Sequence, residues 1–287
     1  MSPGGRSIGG ARWRLIVDGA DDGASNMAVD EAMLESYVRG PAAPGPTLRL
    51  YSWAPATLSL GRAQRAEGAY DADVVRREGI GVVRRPSGGT AVLHEFDRTY
   101  AVVGALGVPP FTGGVIATYK AIADALASAL ARLGVAASPV TPHRGSRRDA
   151  GAACFANVGA WEIAVNGCKL IGSAQARRRG AFLQHGSIPL RCDPGRLEDV
   201  LGSRVDRSRF IDLERASGVA PDVAVFDAAC VGAFEETFCV TLLPGTLTES
   251  EELRAAELRC WKYDSMAWTH GGAIGSREAR WGPPVAR

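Results

Sequence analysis

Residues 154–190 read CFANVGAWEIAVNGCKLIGSAQARRRGAFLQHGSIPL, and this segment carries the strongest signals for both local structure and candidate chemistry. Two apolar, strand-prone runs at 161–165 and 168–172 flank the dipeptide Asn166-Gly167. Asn-Gly between two such runs is the strongest short signal for a β-hairpin. Side chains alternate along a strand, and residues paired across a hairpin share a face. The pattern therefore predicts which hairpin residues point the same way.

In a two-residue turn, Val165 faces Cys168, Ala164 faces Lys169 and Ile163 faces Leu170. One face then carries Trp161, Ile163, Val165, Cys168 and Leu170, and the other carries Glu162, Ala164, Lys169 and Ile171. Cys168 points away from Lys169 in this arrangement. The cysteine that can share the face of Lys169 is Cys154, which precedes the hairpin.

A thiol beside a lysine is a candidate nucleophile for acyl transfer. The reactive form is the thiolate, which is scarce at neutral pH because a free cysteine has a pKa of about 8.5. Two opposite charges about 4 Å apart attract by about 4 kcal/mol at an effective dielectric constant near 20, and half of that shifts a pKa by more than one unit. Cys154 and Lys169 are therefore the candidate catalytic pair. The alternative is a buried apolar cysteine and a solvated surface lysine.

Composition limits the class of protein. The chain has 287 residues, 46% of them hydrophobic, and a formal net charge of +2. This size allows one large core or one domain with a small appendage. The balanced charge gives no global signal for nucleic acid. The basic clusters at 143–148 and 177–179 are interpreted as solvated loops, with an acidic partner as the alternative. No apolar run is long enough to span a bilayer, and the Gly-rich start lacks the apolar core of a signal peptide. We expect a cytoplasmic enzyme with no nucleic-acid or membrane partner.

The six cysteines include no Cys-x-x-Cys spacing, and the four histidines show no metal-binding spacing. Neither a disulfide framework nor a metal site is expected from such a pattern.

The predicted elements indicate an α/β (α+β) fold with a mixed, mostly antiparallel sheet flanked by helices. Residues 1–12 are predicted to be a flexible N-terminus, 13–243 a catalytic domain, 244–268 a C-terminal helical extension and 269–287 a tail. Asp30 falls on the apolar stripe of a helix predicted at 25–37, which makes it a weak candidate for a supporting role. The predicted strands are 13–17, 48–53, 57–60, 79–85, 90–103 and 182–190, and the further helices are 115–133, 223–238 and 251–261, the last opened by a capping box from Thr248 to Glu251.

A second motif, RRPSGGTAVLH at 84–94, places Gly88-Gly89 between strands and ends on His94. Glycines at such a point allow a ligand to approach the backbone closely. The motif is neither a Walker loop nor a dinucleotide-binding fingerprint. Taken alone, it also fits an ordinary tight turn followed by a structural histidine.

Together, the two motifs resemble the lipoate-protein ligase and octanoyltransferase superfamily, whose pattern runs approximately RRxSGGxAVxH and then GxKxxGSAQxRxxGxxLQHGSI. The resemblance extends from Trp13 to Trp268. Supporting segments are residues 26–32, LYSWAPATLSLG at 50–61, and the Lys262-Tyr263 and Trp268 signature near the end. Among the branches, Cys154-Phe155 before the hairpin and Gly-Ser-Ala-Gln after it are most similar to octanoyltransferases of the LipM type.

This resemblance implies the fold of the biotin and lipoate-protein ligase catalytic domain. It also implies transfer of octanoyl from acyl carrier protein to a lysine of a lipoyl domain, such as the glycine cleavage H protein, without a cofactor. Cys154 is expected to form the acyl thioester, and Lys169 to lower the pKa of Cys154 and polarise the carbonyl. Burying an eight-carbon chain at about 0.8 kcal/mol per methylene contributes roughly 5 kcal/mol to binding. The substrate-binding residues implied are Arg85, Gly88, Gly89, Ala91, His94, Gly172, Ser173, Gln175 and His185.

Three other functions stay open at this point. An ATP-dependent lipoate-protein ligase, using ATP and Mg²⁺, needs no cysteine and directs the lysine to an adenylate. An amidotransferase that moves lipoyl or octanoyl between lipoyl domains also uses a cysteine. A non-catalytic binder of acylated carrier proteins needs neither Cys154 nor Lys169. Thr90, Arg98, Cys168 and the sequence after Phe155 depart from the family pattern.

Overall fold

The computed structural model describes residues 11–39, 45–140 and 162–271. The strands in these ranges are β1 (Ala11–Asp21), β2 (Thr47–Trp53), β3 (Thr57–Leu60), β4 (Gly81–Arg84), β5 (Val92–His94), β6 (Asp97–Ala105), β7 (Ser138–Pro139), β8 (Ile163–Val165), β9 (Cys168–Arg178), β10 (Ala181–Pro189) and β11 (Val240–Pro244). The helices are α1 (Gly23–Arg39), α2 (Ala72–Arg77), α3 (Val115–Arg132), α4 (Pro194–Leu201), α5 (Leu213–Ser217), α6 (Val223–Phe238), α7 (Glu249–Leu258) and α8 (Met266–Gly271), with a π-helical turn at Arg259–Tyr263.

The main sheet has the strand order β11-β1-β2-β6-β10-β9-β8-β7. Strand β1 runs parallel to β11 and β2, and every later neighbouring pair is antiparallel. A small sheet, β4-β3-β5, combines one parallel and one antiparallel pair. The predicted mixed, mostly antiparallel sheet flanked by helices is confirmed.

The two faces of the main sheet have different environments. On one face, which we call the outer face, Tyr100, Ile171 and Phe182 join α3 and α6 in an apolar core. The other, which we call the inner face, carries Tyr51, Thr99 and His185 and is covered by α1 and the small sheet. The inner face also carries the buried contacts of His185 with Ser87 and Asp30, which makes it the candidate location of a functional site.

Local sequence signals account for the longest helices. In α3, Ile122, Leu126 and Leu130 recur at helical spacing and are buried, each contributing about 1.5–3 kcal/mol. The helix ends at Arg132, and Gly134 follows just beyond it with a φ of +78°, a conformation that glycine adopts readily. Helix α6 begins and ends as predicted, and the capping box between Thr248 and Glu251 is present.

Two strand predictions are wrong in part. The run predicted as one strand at 90–103 is split at Glu95 and Phe96, because β5 pairs within the small sheet and β6 within the main sheet. In the hairpin, Ile163 pairs with Ile171 rather than with Leu170. The reason is a β-bulge, which shifts the pairing register between Ile163 and Ala164. Pairing of Val165 with Cys168 and of Ala164 with Lys169 is confirmed.

The predicted domain boundaries stay predictions, and residues 1–10 and 272–287 lie outside the described ranges. No helix within those ranges is long and apolar enough to cross a membrane. Arg98, which departs from the family pattern, has a structural explanation. Its guanidinium donates to both carboxylate oxygens of Asp227 in α6, at 2.9 and 2.7 Å, and so ties the main sheet to that helix.

Candidate active site

Lys169 lies on the inner face of the main sheet, with its side chain fully buried. The bulge explains this placement, because Leu170 and Ile171 both turn towards the outer core and leave Lys169 and Gly172 on the same face. Ile171 was predicted to share the face of Lys169, and that part of the face assignment is wrong. The ammonium donates a hydrogen bond to Oε1 of Glu162. A buried cation with a carboxylate beside it is a candidate for catalysis rather than a solvated surface lysine.

Cys154 lies outside the described residues, so its placement close to Lys169 stays a prediction. Cys168 points away from Lys169, as predicted. Its thiol donates to the backbone oxygen of Ser208 at 3.1 Å. The segment at 209–211 pairs with the backbone of β9 at Lys169. Lys169 N donates to Arg209 O at 2.8 Å, and Ile211 N donates to Lys169 O at 2.9 Å.

Arg85 holds the glycine loop in place. Its buried guanidinium donates to the backbone oxygens of Gly88, Thr90 and Ser59 at distances between 2.7 and 3.1 Å. Gly88 and Gly89 themselves are exposed at the tip of the loop. Arg85 was predicted to bind substrate. In the structure its guanidinium bonds the backbone of the glycine loop and holds the loop in shape.

Gly61 allows the close approach of the glycine loop, since a Cβ at this position would lie 1.9 Å from the backbone oxygen of Gly89. Gly61→Ala is therefore expected to destabilise the protein by about 1–3 kcal/mol or more, through forced displacement of backbone. Gly88→Ala is the matched control, because a Cβ there meets no atom within 4 Å. Thermal unfolding of both variants tests this prediction, and an equal midpoint for the two would contradict it.

A hydrogen-bonded chain connects the glycine loop to α1. Ser87 Oγ lies 2.5 Å from His185 Nε2, and His185 Nδ1 lies 2.8 Å from Asp30 Oδ2. Arg49 donates to the other Asp30 oxygen at 2.9 Å, and Tyr51 OH donates to Oδ2 at 2.9 Å. Burial alone raises the pKa of the Asp30 carboxyl, but the hydrogen bond from His185 and the Arg49 cation outweigh burial and hold that pKa below its ordinary value.

A second chain of the same type lies in the small sheet and reaches the main sheet. Ser59 Oγ is 2.9 Å from His94 Nε2, and His94 Nδ1 is 2.7 Å from Asp97 Oδ2. The His94 ring stacks on Trp53, with ring centroids 4.0 Å apart. Ser187 also donates to Asp97 Oδ2, at 2.6 Å. The two predicted site histidines, His94 and His185, therefore each lie in a buried polar network between the two sheets.

Other predicted site residues lie elsewhere. The side chains of Ser173 and Gln175 point to the outer face, where Ser173 contacts Tyr100 at 2.8 Å and Gln175 donates to Gln184 at 3.0 Å. The structure does not bring these two side chains together with Lys169. Ala91 is buried in the apolar core of the small sheet. Gly172 lies opposite Ser187 on the inner face, the same face of the sheet that carries Lys169 and His185.

Several residues of these networks carried only weak signals in the sequence. Asp30 was predicted only as a weak candidate for a supporting role, yet it is fully buried at the centre of one network. Glu162 was placed on the face of Lys169 but given no role, and Ser59 and Asp97 carried no signal beyond strand alternation. In the described part of the chain, no cluster of three histidine, cysteine or acidic side chains is arranged to hold a metal ion.

Comparisons with known proteins identify the family of this chain. The family model "Lipoyl protein ligase A/B catalytic domain" matches residues 22–235. The octanoyltransferase LipM of Moorella thermoacetica is 39% identical over 267 residues, covering 89% of this chain and 97% of the relative. The corresponding protein of Kyrpidia tusciae is 39% identical over 272 residues, covering 90% and 98%.

Solved structures give the same result for the fold. A lipoate-protein ligase A bound with ATP superimposes with a TM-score of 0.76 at 27% identity, covering 92% of this chain and all of that one (100%). A bipartite lipoate protein ligase from Thermoplasma acidophilum superimposes with a TM-score of 0.76 at 24% identity, covering 93% and 99%, and this second likeness concerns the fold alone.

Proposed function

This chain belongs to the lipoyl protein ligase A/B catalytic domain family, and from that membership we propose that it is an octanoyltransferase acting in protein lipoylation. The acyl group passes from octanoyl-acyl carrier protein to Cys154, and then from Cys154 to a lysine of a lipoyl domain such as the glycine cleavage H protein. A thioester donor already carries an activated acyl group, so the two steps need no ATP.

The observation that carries this proposal is the full burial of Lys169 on the inner face, with the Glu162 carboxylate bonded to its ammonium. A cation in that environment stabilises a thiolate and the oxyanion that forms when a thioester is attacked. LipM relatives are 39% identical over about nine-tenths of the chain, whereas the lipoate-protein ligase A that shares the fold is 27% identical, and this difference favours a transferase over an ATP-dependent ligase. The cytoplasmic location expected from the sequence stays a prediction.

Mixing the protein with octanoyl-acyl carrier protein, without ATP, is expected to add one octanoyl mass to Cys154. Intact-protein mass spectrometry followed by peptide mapping measures the adduct and locates it. Hydroxylamine should remove it, because thioesters are cleaved by this nucleophile.

The matched reaction contains free octanoate, ATP and Mg²⁺ in place of the acyl carrier protein. Acylation only under these conditions would identify an ATP-dependent ligase. An adduct that forms only from octanoylated or lipoylated lipoyl domain would identify an amidotransferase, and binding without any adduct would identify a non-catalytic binder.

A further inference from the structure

The proposed chemistry leaves one sequence signature without a role, which is Lys262-Tyr263 and Trp268. Trp268 lies in α8 and is buried, and its indole Nε1 donates to the backbone oxygen of Arg84, the last residue of β4, at 2.8 Å. The ammonium of Lys262 lies 4.0 Å from the centroid of the Trp268 ring and donates to Glu31 of α1 at 2.5 Å. A cation over an aromatic face is attracted to it, more strongly where water is excluded. These contacts fix α8 between α1 and the small sheet.

Arg84 connects α8 to the turn that follows β3. Its side chain is fully buried, and within the described ranges its guanidinium donates to backbone oxygens only. Two of these oxygens belong to Trp268 and Thr269 in α8, each at 3.0 Å. Two others belong to Gly61 and Gln64 in the turn, each at 2.6 Å. Burying a cation away from carboxylates is costly unless polar groups surround it, so this guanidinium holds both segments firmly in place.

The same turn contacts the glycine loop. The amide of Arg62 donates to the backbone oxygen of Ser87 at 2.8 Å. Gly61 brings the two backbones together, because a Cβ there would overlap the oxygen of Gly89. The turn also has internal bonds, from Gln64 N to Gly61 O at 3.0 Å and from Gly61 N to Gln64 Oε1 at 3.2 Å. A contiguous set of packed and hydrogen-bonded groups therefore connects α8 to the glycine loop.

We propose that Trp268 and Arg84 are positioning residues that hold the glycine loop in place for the acyl donor, an inference that rests on the proposed function. A loop that is already in place binds its ligand without an ordering cost. Because the tip at Gly88 and Gly89 is exposed, a modest loss of support is enough to displace it. When only a fraction of the molecules has the loop in place, the apparent affinity for the donor falls by that fraction.

Hydrogen exchange in the substrate-free protein tests the support of the loop. The reporters are the amide of Arg62, which bonds to the loop, and the amide of Arg85, which bonds to the oxygen of Leu60 at 2.9 Å. Arg84→Lys keeps the charge but lacks the planar fork that spans both segments, and Trp268→Phe keeps a ring but removes the indole N–H. Protection of both amides is expected to fall by about tenfold or more in Arg84→Lys and by about threefold or more in Trp268→Phe, the usual effects of losing a charged and a neutral hydrogen bond.

The rate of enzyme acylation as a function of octanoyl-acyl carrier protein concentration gives the second measurement. The half-saturating concentration is expected to rise by about threefold or more in both variants, while the maximal rate changes by less than about twofold. Partial unfolding would instead lower the fraction of enzyme that becomes acylated and leave the half-saturating concentration unchanged. This difference separates a positioning role from a merely structural one.

Trp261→Phe and Arg98→Lys are the matched controls. Trp261 lies in the same C-terminal segment, and among the described residues its buried indole N–H has no hydrogen-bond partner. Arg98 is a buried guanidinium that donates to Asp227 of α6 and not to the loop. Both controls are expected to keep wild-type exchange at the two reporter amides and a wild-type half-saturating concentration, even where they lower the midpoint of thermal unfolding.

Wild-type exchange in Arg84→Lys and Trp268→Phe, or faster exchange with an unchanged half-saturating concentration, would overturn the positioning role. Failure of the wild-type protein to form any octanoyl-enzyme would instead overturn the proposed function. The exchange measurement needs no substrate, so it judges the support of the loop in either case.

Discussion

Cys154→Ala is expected to abolish octanoyl transfer, whereas Cys168→Ala retains most of it. Loss of the nucleophile in a covalent mechanism costs many orders of magnitude, and we expect a decrease of at least about 10³-fold. Cys168 has no comparable role, because its thiol donates to the backbone oxygen of Ser208 and its strand position faces away from Lys169. Steady-state transfer from octanoyl-acyl carrier protein to a lipoyl domain measures both variants.

Peptide-resolved mass spectrometry provides the control for other cysteines. Burial raises the pKa of Cys192 to about 11, with the nearby Asp212 carboxylate adding to the effect. Burial likewise raises the pKa of Cys230. These two thiols are therefore poor nucleophiles near neutral pH. Equal loss of activity in Cys154→Ala and Cys168→Ala would contradict the face assignment on which the choice of nucleophile depends.

The elements that could be predicted from the sequence are those whose cause is local. Asn166 and Gly167 have positive φ values of 50° and 82°, the conformation that an Asn-Gly hairpin turn requires, and the hairpin was predicted from that dipeptide. Helix α3 follows from its own apolar spacing and its glycine stop. Each of these signals lies within a few residues of the structure that it causes.

The bulge in β9 could not be predicted in this way. It depends on the pairing of Lys169 with the segment around Phe210, some forty residues later, and on the outer core that takes up both Leu170 and Ile171. The bulge reverses the expected alternation and brings Gly172 to the face of Lys169. A strand pattern read from sequence alone assumes regular alternation and misses such a shift.

The burial of Asp30 depends on three partners that are distant in sequence. Arg49 and Tyr51 from β2 and His185 from β10 all contact its carboxylate. On the helix alone, an aspartate within an apolar stripe has no visible compensation. Only the tertiary structure supplies the cation and the donors that make a buried carboxylate stable.

The charges of Lys169 and Glu162 are expected to set the reactivity of Cys154 in opposite directions. Lys169→Ala should raise the pH midpoint for iodoacetamide labelling of Cys154 by about one unit or more, because it removes the cation that favours the thiolate. Glu162→Gln should lower the midpoint, since the carboxylate bonded to Lys169 partly cancels the charge of the ammonium. The rate of labelling as a function of pH, measured on the peptide that contains Cys154, gives each midpoint.

The double variant Lys169→Ala/Glu162→Gln completes the test, because it removes both charges and should return the midpoint towards the ordinary cysteine value of about 8.5. It also controls for stability. Lys169→Ala alone leaves a buried carboxylate without its cation, at a cost of about 3–5 kcal/mol, and the neutral glutamine relieves that cost. Because Cys168 faces away from this pair, its own labelling profile should stay nearly constant in all three variants. If the Cys154 midpoint stays constant as well, Lys169 does not act on the thiol, and its positive charge must serve the thioester carbonyl instead.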